Sequence, residues 1–520
     1  MKKPQIIVPM SGIGKRFIDA GYEDPKPLIM VDGLPIIEHV VNLFDSPDDV
    51  IFVCNEKHIK ETNVKDVLKS ISPNCVICEV PTQNRKGPVD AVYKIFDQID
   101  DEKEVIVSYC DYGTVWDYNR FLNDVRSKDS DGAIACYRGF HPHMLGGDNY
   151  AFCKENDMFL EKIKEKESFT ENKMDEYASN GTYYFKTGKI LKKYFKKLID
   201  LDINLKGEYY VSLVYNLLVE DNLKVSIFEI EKMLQWGTPY DLEIYKSWSN
   251  FFKKPKMKNI NTPKNTTLIL PMAGNGSRFS LEGYKTPKPF IKIGDIPMVI
   301  KAINDLPVCD NNVFIVRKEH TENFNFNNVI KEYYNDYSLI EIDEVTEGQA
   351  CTCEIGLKNI NLEDPILISA CDNGIYYDVE KCEKMLYNEN IDVIVWSFRN
   401  NQTSKVNPNS YAWLDVDNND TIKHVSCKKF IYDDPLTTHA IVGTMFFRKA
   451  KYFLDGLNKN KEKNIRTNNE FYVDDVLNQN ILTGLNVKVF EVDDYICWGT
   501  PDDLKTYEYW KEYFKKNNKL

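Results

Sequence analysis

The residues best suited to hold a phosphate lie in two short stretches, PMSGIGKRF at 9–17 and PMAGNGSRF at 271–279. Each follows an apolar run and supplies glycines that let the backbone approach a ligand closely. Successive N–H groups in such a loop can face phosphate oxygens. This sets Met10, Ser11, Gly12 and Gly14 in the first stretch, and Met272, Ala273, Gly274 and Gly276 in the second, as nucleotide-binding candidates. Arg16 and Arg278 add planar guanidinium groups that match phosphate geometry. The loops are not dinucleotide fingerprints, because Phe17 and Phe279 stand at the third glycine, and they lack the GK[ST] of a Walker loop. Downstream of each comes a lysine between prolines, Pro25-Lys26-Pro27 and Pro287-Lys288-Pro289. Two prolines stiffen the backbone and so fix where the ammonium group can go.

These pairs belong to a longer repeat. Gly12 and Gly274 are 262 residues apart (274 − 12). GYEDPKP and GYKTPKP, GTYYF and GTMFF, EYYV and EFYV, and WGTPYDL and WGTPDDL keep that offset, and SYCDYG and SACDNG differ from it by one. Six landmarks in one order imply a tandem duplication, with domains at 1–252 and 268–520. The Lys-, Pro- and Asn-rich stretch 253–267 reads as a linker.

Within each copy, short apolar runs such as QIIVP and VIFVC alternate with segments of helical spacing such as PIIEHVVNLF and GPVDAVYKIFDQI. That alternation predicts βαβ units and a mostly parallel sheet. Ligands of such sheets bind at the carboxyl ends of the strands. The glycine loop and Asp111, which ends EVIVSYCD, both fall there. The net charge of −13 argues against broad nucleic-acid binding, which needs basic surface. No signal-peptide pattern and no apolar run of about 18 residues is visible, so neither secretion nor a membrane span is expected. Thirteen scattered cysteines fit reduced thiols of a cytoplasmic protein, and the lone CxxC, Cys75 to Cys78, has no partner pair to complete a zinc site.

The combination G-x-G-x-R-F with a following PKP, present in both copies, closely resembles the sugar-phosphate nucleotidyltransferases, the nucleotide-sugar pyrophosphorylases. The resemblance implies an α/β fold of two tandem Rossmann-like nucleotidyltransferase domains, each a mostly parallel mixed sheet flanked by helices. It implies transfer of a nucleotidyl group from an NTP to a sugar phosphate or phosphorylated polyol, with release of pyrophosphate, for surface polysaccharide synthesis. Arg16 and Lys26, and Arg278 and Lys288, match the family's catalytic basic pair. Asp111 and Asp372 match its strand-end ligand for Mg2+, a hard cation that prefers carboxylate and phosphate oxygens. Gly87 and Gly348 match the glycine beside the base, where Gln83 and Gln349 are candidates for base contact or plain surface residues. Lys166 and Lys428 fall where the family places a lysine for the sugar phosphate, and Glu208 and Glu470 are candidate acceptor contacts. The partners implied are an NTP and a phosphorylated sugar or polyol, without nucleic acid or membrane; a homo-oligomer is compatible.

One departure concerns the metal. Family members carry a second acidic ligand two residues before the late GT, where this chain has Gln235 and Cys497. Either the first acid suffices with phosphates and waters, or a neighbour such as Asp494 substitutes, or activity is reduced. Three readings follow: two active domains with different substrates, one catalytic domain with a degenerate regulatory copy, or a nucleotide-binding scaffold without turnover. A glycosyltransferase would show a DxD motif at a strand end, which CDY and CDN do not supply.

Overall fold

The computed structural model describes residues 3–324 and 326–516. The chain divides into two compact units, the first ending at Asn250 and the second beginning at Phe251. Each is built on a nine-stranded sheet.

In the first unit the strand Gln5–Met10 lies between Val50–Asn55 and Val105–Ser108 and pairs with both in parallel. Val76–Val80 extends the parallel set beyond Val50–Asn55. On the other side Tyr177–Phe185 runs antiparallel to Val105–Ser108, followed by Gly132–Tyr137 and Val225–Glu229. The second unit places its strands in the same order: Ser338–Ile342, Asn311–Arg317, Thr267–Met272, Ile366–Ile368, His439–Phe447, Val393–Phe398 and Val487–Glu491. The expected mixed, mostly parallel sheet is therefore present in each unit.

The central strands are apolar on both faces because helices cover both. Alternate residues go to opposite cores: Leu268, Leu270 and Met272 pack in one cluster of the second unit, and Ile269 packs in the other. The stretch expected as a linker is only partly one. The helix Pro239–Lys253 runs into its start. Met257 and Ile260 then pack on a core of the second unit, and Val308 N–H donates to Ile260 O at 2.8 Å. Two apolar anchors inside a polar stretch gave no periodic signal. Among the described residues no helix is long and apolar enough to cross a membrane.

The repeated landmarks turn out to be one another's contacts. Gly113 and Gly374 leave room for the indoles of Trp236 and Trp498, which an added Cβ would meet at 2.8 Å. Gly87 and Gly348 open the helices Pro88–Tyr93 and Gln349–Gly356 with φ of 91° and 132°. Each lies against the backbone of a later landmark. Tyr209 N–H donates to Lys86 O at 2.7 Å, and Phe471 N–H donates to Glu347 O at 2.8 Å. A Cβ on Gly348 would lie 2.5 Å from Phe471 N. Gly348→Ala therefore combines a left-handed backbone with a clash against main chain, neither of which a side-chain shift relieves. We expect it to destabilise the second unit by about 2 kcal/mol or more in denaturant unfolding. A change under about 0.5 kcal/mol would show that the loop gives way freely.

Candidate active site

The parallel register puts two distant segments side by side. Gln5 lies level with Val105 and Ile7 with Val107, so the two chains leave the sheet together. The glycine loop after Met10 and Asp111 after Ser108 thus share one rim, as Thr267 level with Ile366 arranges in the second unit.

In the loop, Gly14 and Gly276 have φ of 69° and 59° and cap the short helices Lys15–Asp19 and Ser277–Leu281, a backbone that glycine adopts at little cost. Gly12 and Gly274 are different. A Cβ there would meet nothing within 4 Å, and neither has a left-handed φ. The fold does not need glycine at these positions; space for a close-lying ligand would. The Met10 and Met272 side chains, each 3% exposed, go into the core, so these residues offer a ligand only their backbone. Ser11 O accepts from Asn55 Nδ2 and from an Arg85 NH group, both at 2.9 Å, which fixes the loop's entry. The second unit has Arg317 at the position of Asn55, and it donates to Asn275 Oδ1 at 2.8 Å.

Arg16 and Arg278 are exposed and have no ion pair among the described residues. Phe17 and Phe279, each 2% exposed, anchor the arginine-bearing turn, and the Lys26 and Lys288 ammonium groups lie 5.5 and 6.0 Å from these rings. Lys26 pairs with Asp111 and Lys288 with Asp372. Lys26 Nζ also donates to Gly237 O at 3.1 Å. Burial would raise the Asp372 carboxyl, but the Lys288 charge and hydrogen bond, with Lys428 beyond, hold it below the ordinary carboxylate value. The Lys288 ammonium, which burial would lower, is raised by Asp372. Each Asp is thus engaged by the lysine of its PKP turn.

The late GT segment reaches this rim through a two-stranded ribbon. Gln235 lies opposite Tyr112 and Cys497 opposite Asn373, and Trp236 and Trp498 N–H donate to Asp111 O and Asp372 O. Asp494 does not substitute for the missing acid. It lies three positions away, opposite Tyr376, and pairs with Lys254; strand alternation turns it to the face opposite Cys497. An acid that the sequence reading passed over is nearer. Thr238 and Asp241 form a capping box, with Asp241 N–H donating to Thr238 Oγ1 at 3.1 Å and that hydroxyl donating to Asp241 Oδ2 at 2.6 Å. Thr500 and Asp503 repeat it, and Cys497 Sγ donates to Asp503 Oδ2 at 3.4 Å. Burial pushes the Asp241 carboxyl up, against the pull of Arg16 and Lys26, and Asp111 pushes it further. The T-x-x-D spacing inside WGTPYDL and WGTPDDL was the signal that could have found it.

Of the residues expected to meet the acceptor, Lys166 and Lys428 both have left-handed backbones, φ 57° and 52°, and their N–H groups donate to Tyr150 O and Tyr411 O at 2.8 and 3.1 Å. Lys166 Nζ donates to Tyr210 OH at 2.7 Å, and that hydroxyl donates to Glu208. Glu470 is exposed, and its carboxylate adds to the burial that raises the Tyr472 hydroxyl. Gln83 lies two residues before Arg85, which donates to Ser11 O. It is exposed and lines a hollow with Lys86, Asp90, Tyr93 and Lys94. Gln349 opens the helix beside Gly348. The glycines at 87 and 348 are accounted for by the backbones of Tyr209 and Phe471. No group of three or more His, Cys, Asp or Glu placed to hold a metal occurs among the described residues.

Gly12→Ala and Gly274→Ala should leave unfolding unchanged within about 0.5 kcal/mol, since nothing meets the new methyl group. They should weaken NTP binding at least about tenfold, read by calorimetric titration. Full affinity in both variants would mean the loop does not cradle the nucleotide.

Residues 6–169 match the family described as the MobA-like NTP transferase domain. A curated relative, the bifunctional protein GlmU of Buchnera aphidicola subsp. Baizongia pistaciae (strain Bp), is 22% identical over 229 residues, 44% of this chain. The chain spans about half of that relative, 47% of its length. Among solved structures, the nucleoside-diphosphate-sugar pyrophosphorylase from Vibrio cholerae RC9 aligns at 18% identity and a TM-score of 0.37, covering 46% of this chain and 99% of its own. The inositol-1-phosphate CTP transferase from T. maritima aligns at 16% and 0.38, covering 49% and 98%. Over residues 6–169 the chain is thus similar to the MobA-like NTP transferase domains.

Proposed function

We propose that both units catalyse nucleotidyl transfer from an NTP to a phosphorylated sugar or polyol, releasing pyrophosphate, and that they serve different acceptors. The observation that carries this reading is the pairing of the PKP lysine with the strand-end Asp, built twice, on the rim that also carries a glycine with open space around it. A family match over residues 6–169 supports it for the first unit. The second unit enters through its shared strand order and site residues. The product is of the activated kind that surface polysaccharide assembly consumes.

The reactants are highly anionic, so positioning and charge neutralisation do most of the work. The loop N–H groups and Arg16 or Arg278 would hold the terminal phosphates. Lys26 or Lys288 would leave its carboxylate for the α-phosphate as the acceptor's phosphate oxygen attacks in line. Asp111 and Asp372, with Asp241 and Asp503 in their neighbourhood, offer the hard oxygen donors that suit Mg2+. When bound, Mg2+ supplies further neutralisation of phosphate charge.

Pyrophosphate release across four NTPs and a set of sugar and polyol phosphates tests the reading. Arg16→Ala and Arg278→Ala should each abolish a different activity, with a loss of about 10²- to 10³-fold. If either single substitution removed every activity, the two-enzyme reading would fail.

A further inference from the structure

Near Lys166 and Lys428 each unit holds a half-buried carboxylate hydrogen-bonded across a strand and a helix, but not at the same sequence position; in the second unit Asp475, 7% exposed, follows it in the helix. In the first unit Glu165, on the strand Phe159–Glu165, accepts from Ser212 Oγ at 2.6 Å, and Ser212 lies in the first turn of the helix Val211–Glu220. In the second unit the counterparts, 262 residues on, are Cys427 and Asp474. Cys427, on the strand Ile422–Cys427, donates through Sγ to Asp474 Oδ2 at 3.8 Å, and Asp474 lies in the first turn of the helix Val473–Leu482. Donor and acid have exchanged places, and the strand-to-helix hydrogen bond is kept with its polarity reversed.

Packing alone would not demand this. Burial raises both carboxyls, Asp474 up to about 6, so each acid costs free energy that a neutral pair would spare. The helix N-terminus makes the relocated acid more tolerable without explaining why a charge is kept. The acid sits beside a left-handed lysine in each copy, Lys166 or Lys428. Lys428 acts on Asp474 and also on Asp372, which ties this acid to the strand-end rim. A lysine beside a carboxylate suits a ligand that carries both a phosphate and hydroxyl groups: the ammonium group meets the phosphate, and the carboxylate accepts from the hydroxyls.

We infer that Asp474 binds the hydroxyl groups of the second unit's phosphorylated polyhydroxy acceptor, in the role that Glu165 has in the first unit. This rests on the reading given under Proposed function. Asp is one methylene shorter than Glu and is mounted on a helix rather than a strand, so the two units present their carboxylates from different directions. Position 109 differs in the same sense. Tyr109 packs its ring against Gly181 and Tyr183, whereas its counterpart Ala370 offers only a methyl group to Gly443.

The test uses the full chain carrying Arg16→Ala, so that turnover reports on the second unit. Calorimetry with Mg2+ and NTP present compares methyl phosphate with glucose 1-phosphate, mannose 1-phosphate, glycerol 3-phosphate and ribitol 5-phosphate. Asp474→Asn should weaken the best-bound hydroxylated phosphate at least about tenfold, as expected for a hydrogen bond to a charged group, and leave methyl phosphate and NTP unchanged. The double exchange Cys427→Glu/Asp474→Ser, which rebuilds the first unit's arrangement, should bind that phosphate more tightly than Asp474→Asn does. The inference is overturned if Asp474→Asn keeps the preference over methyl phosphate, if the double exchange recovers nothing, or if the parent protein shows no preference. Pyrophosphate release in the same samples separates the two levels. Its absence with the preference intact defeats the nucleotidyl-transfer reading and leaves the subsite standing; turnover without the preference does the reverse.

Discussion

Parallel pairing of two strands that are distant in sequence is the constraint on which each site depends. Gln5–Met10 against Val105–Ser108, and Thr267–Met272 against Ile366–Ile368, deliver a glycine loop and a carboxylate to one rim from about a hundred residues apart. Backbone hydrogen bonds fix that register, and a slip by one residue would turn each apolar strand over in its core. The lysine of each PKP then finds its carboxylate from a turn whose backbone the two prolines stiffen. The Lys–Asp pair is about one quarter exposed, so its energetic worth is modest. Its chief consequence is positional: it parks a cation where phosphate charge would otherwise have to be met.

Around that rim the two copies have diverged in a graded way. The loop glycines, arginine, PKP lysine and strand-end acid are the same type in both units. The Thr-x-x-Asp capping box is also kept, while the residue before its tryptophan is an amide in one copy and a thiol in the other. Around Lys166 and Lys428 the differences are larger: Glu165 and Ser212 become Cys427 and Asp474, and Tyr109 becomes Ala370. The residues of the strand-end rim vary least and those around the two lysines most, the pattern that units sharing a chemistry and differing in what they modify would have.

The repeat itself has a physical explanation in the landmark contacts. A glycine that must admit an indole, or the backbone of a neighbouring loop, cannot change without its partner. Gly113 with Trp236, Gly374 with Trp498, Gly87 with Tyr209 and Gly348 with Phe471 are such pairs. The motifs that repeat most clearly along the chain are therefore largely those that touch in space. Some landmark glycines thus serve the fold, and only Gly12 and Gly274 are left without a structural claim on them.

The sequence by itself determined the duplication, the alternation of strands and helices, the expected mixed parallel sheet, and the placing of the loop and the acid at strand ends. Those features are local or periodic, and a period of two, a period of 3.6 or an offset of 262 can be counted along a chain. Tertiary structure alone decided that Asp494 is paired with Lys254 and turned away from Cys497, and that Asp241 and Asp503 lie near the rim. It alone showed that Asp474, forty-seven residues from Cys427, accepts a hydrogen bond from that thiol beside Lys428. Each of these depends on which side chains a sheet register and a helix start bring together, and no spacing along the chain encodes a contact between elements that meet only when the sheet has formed.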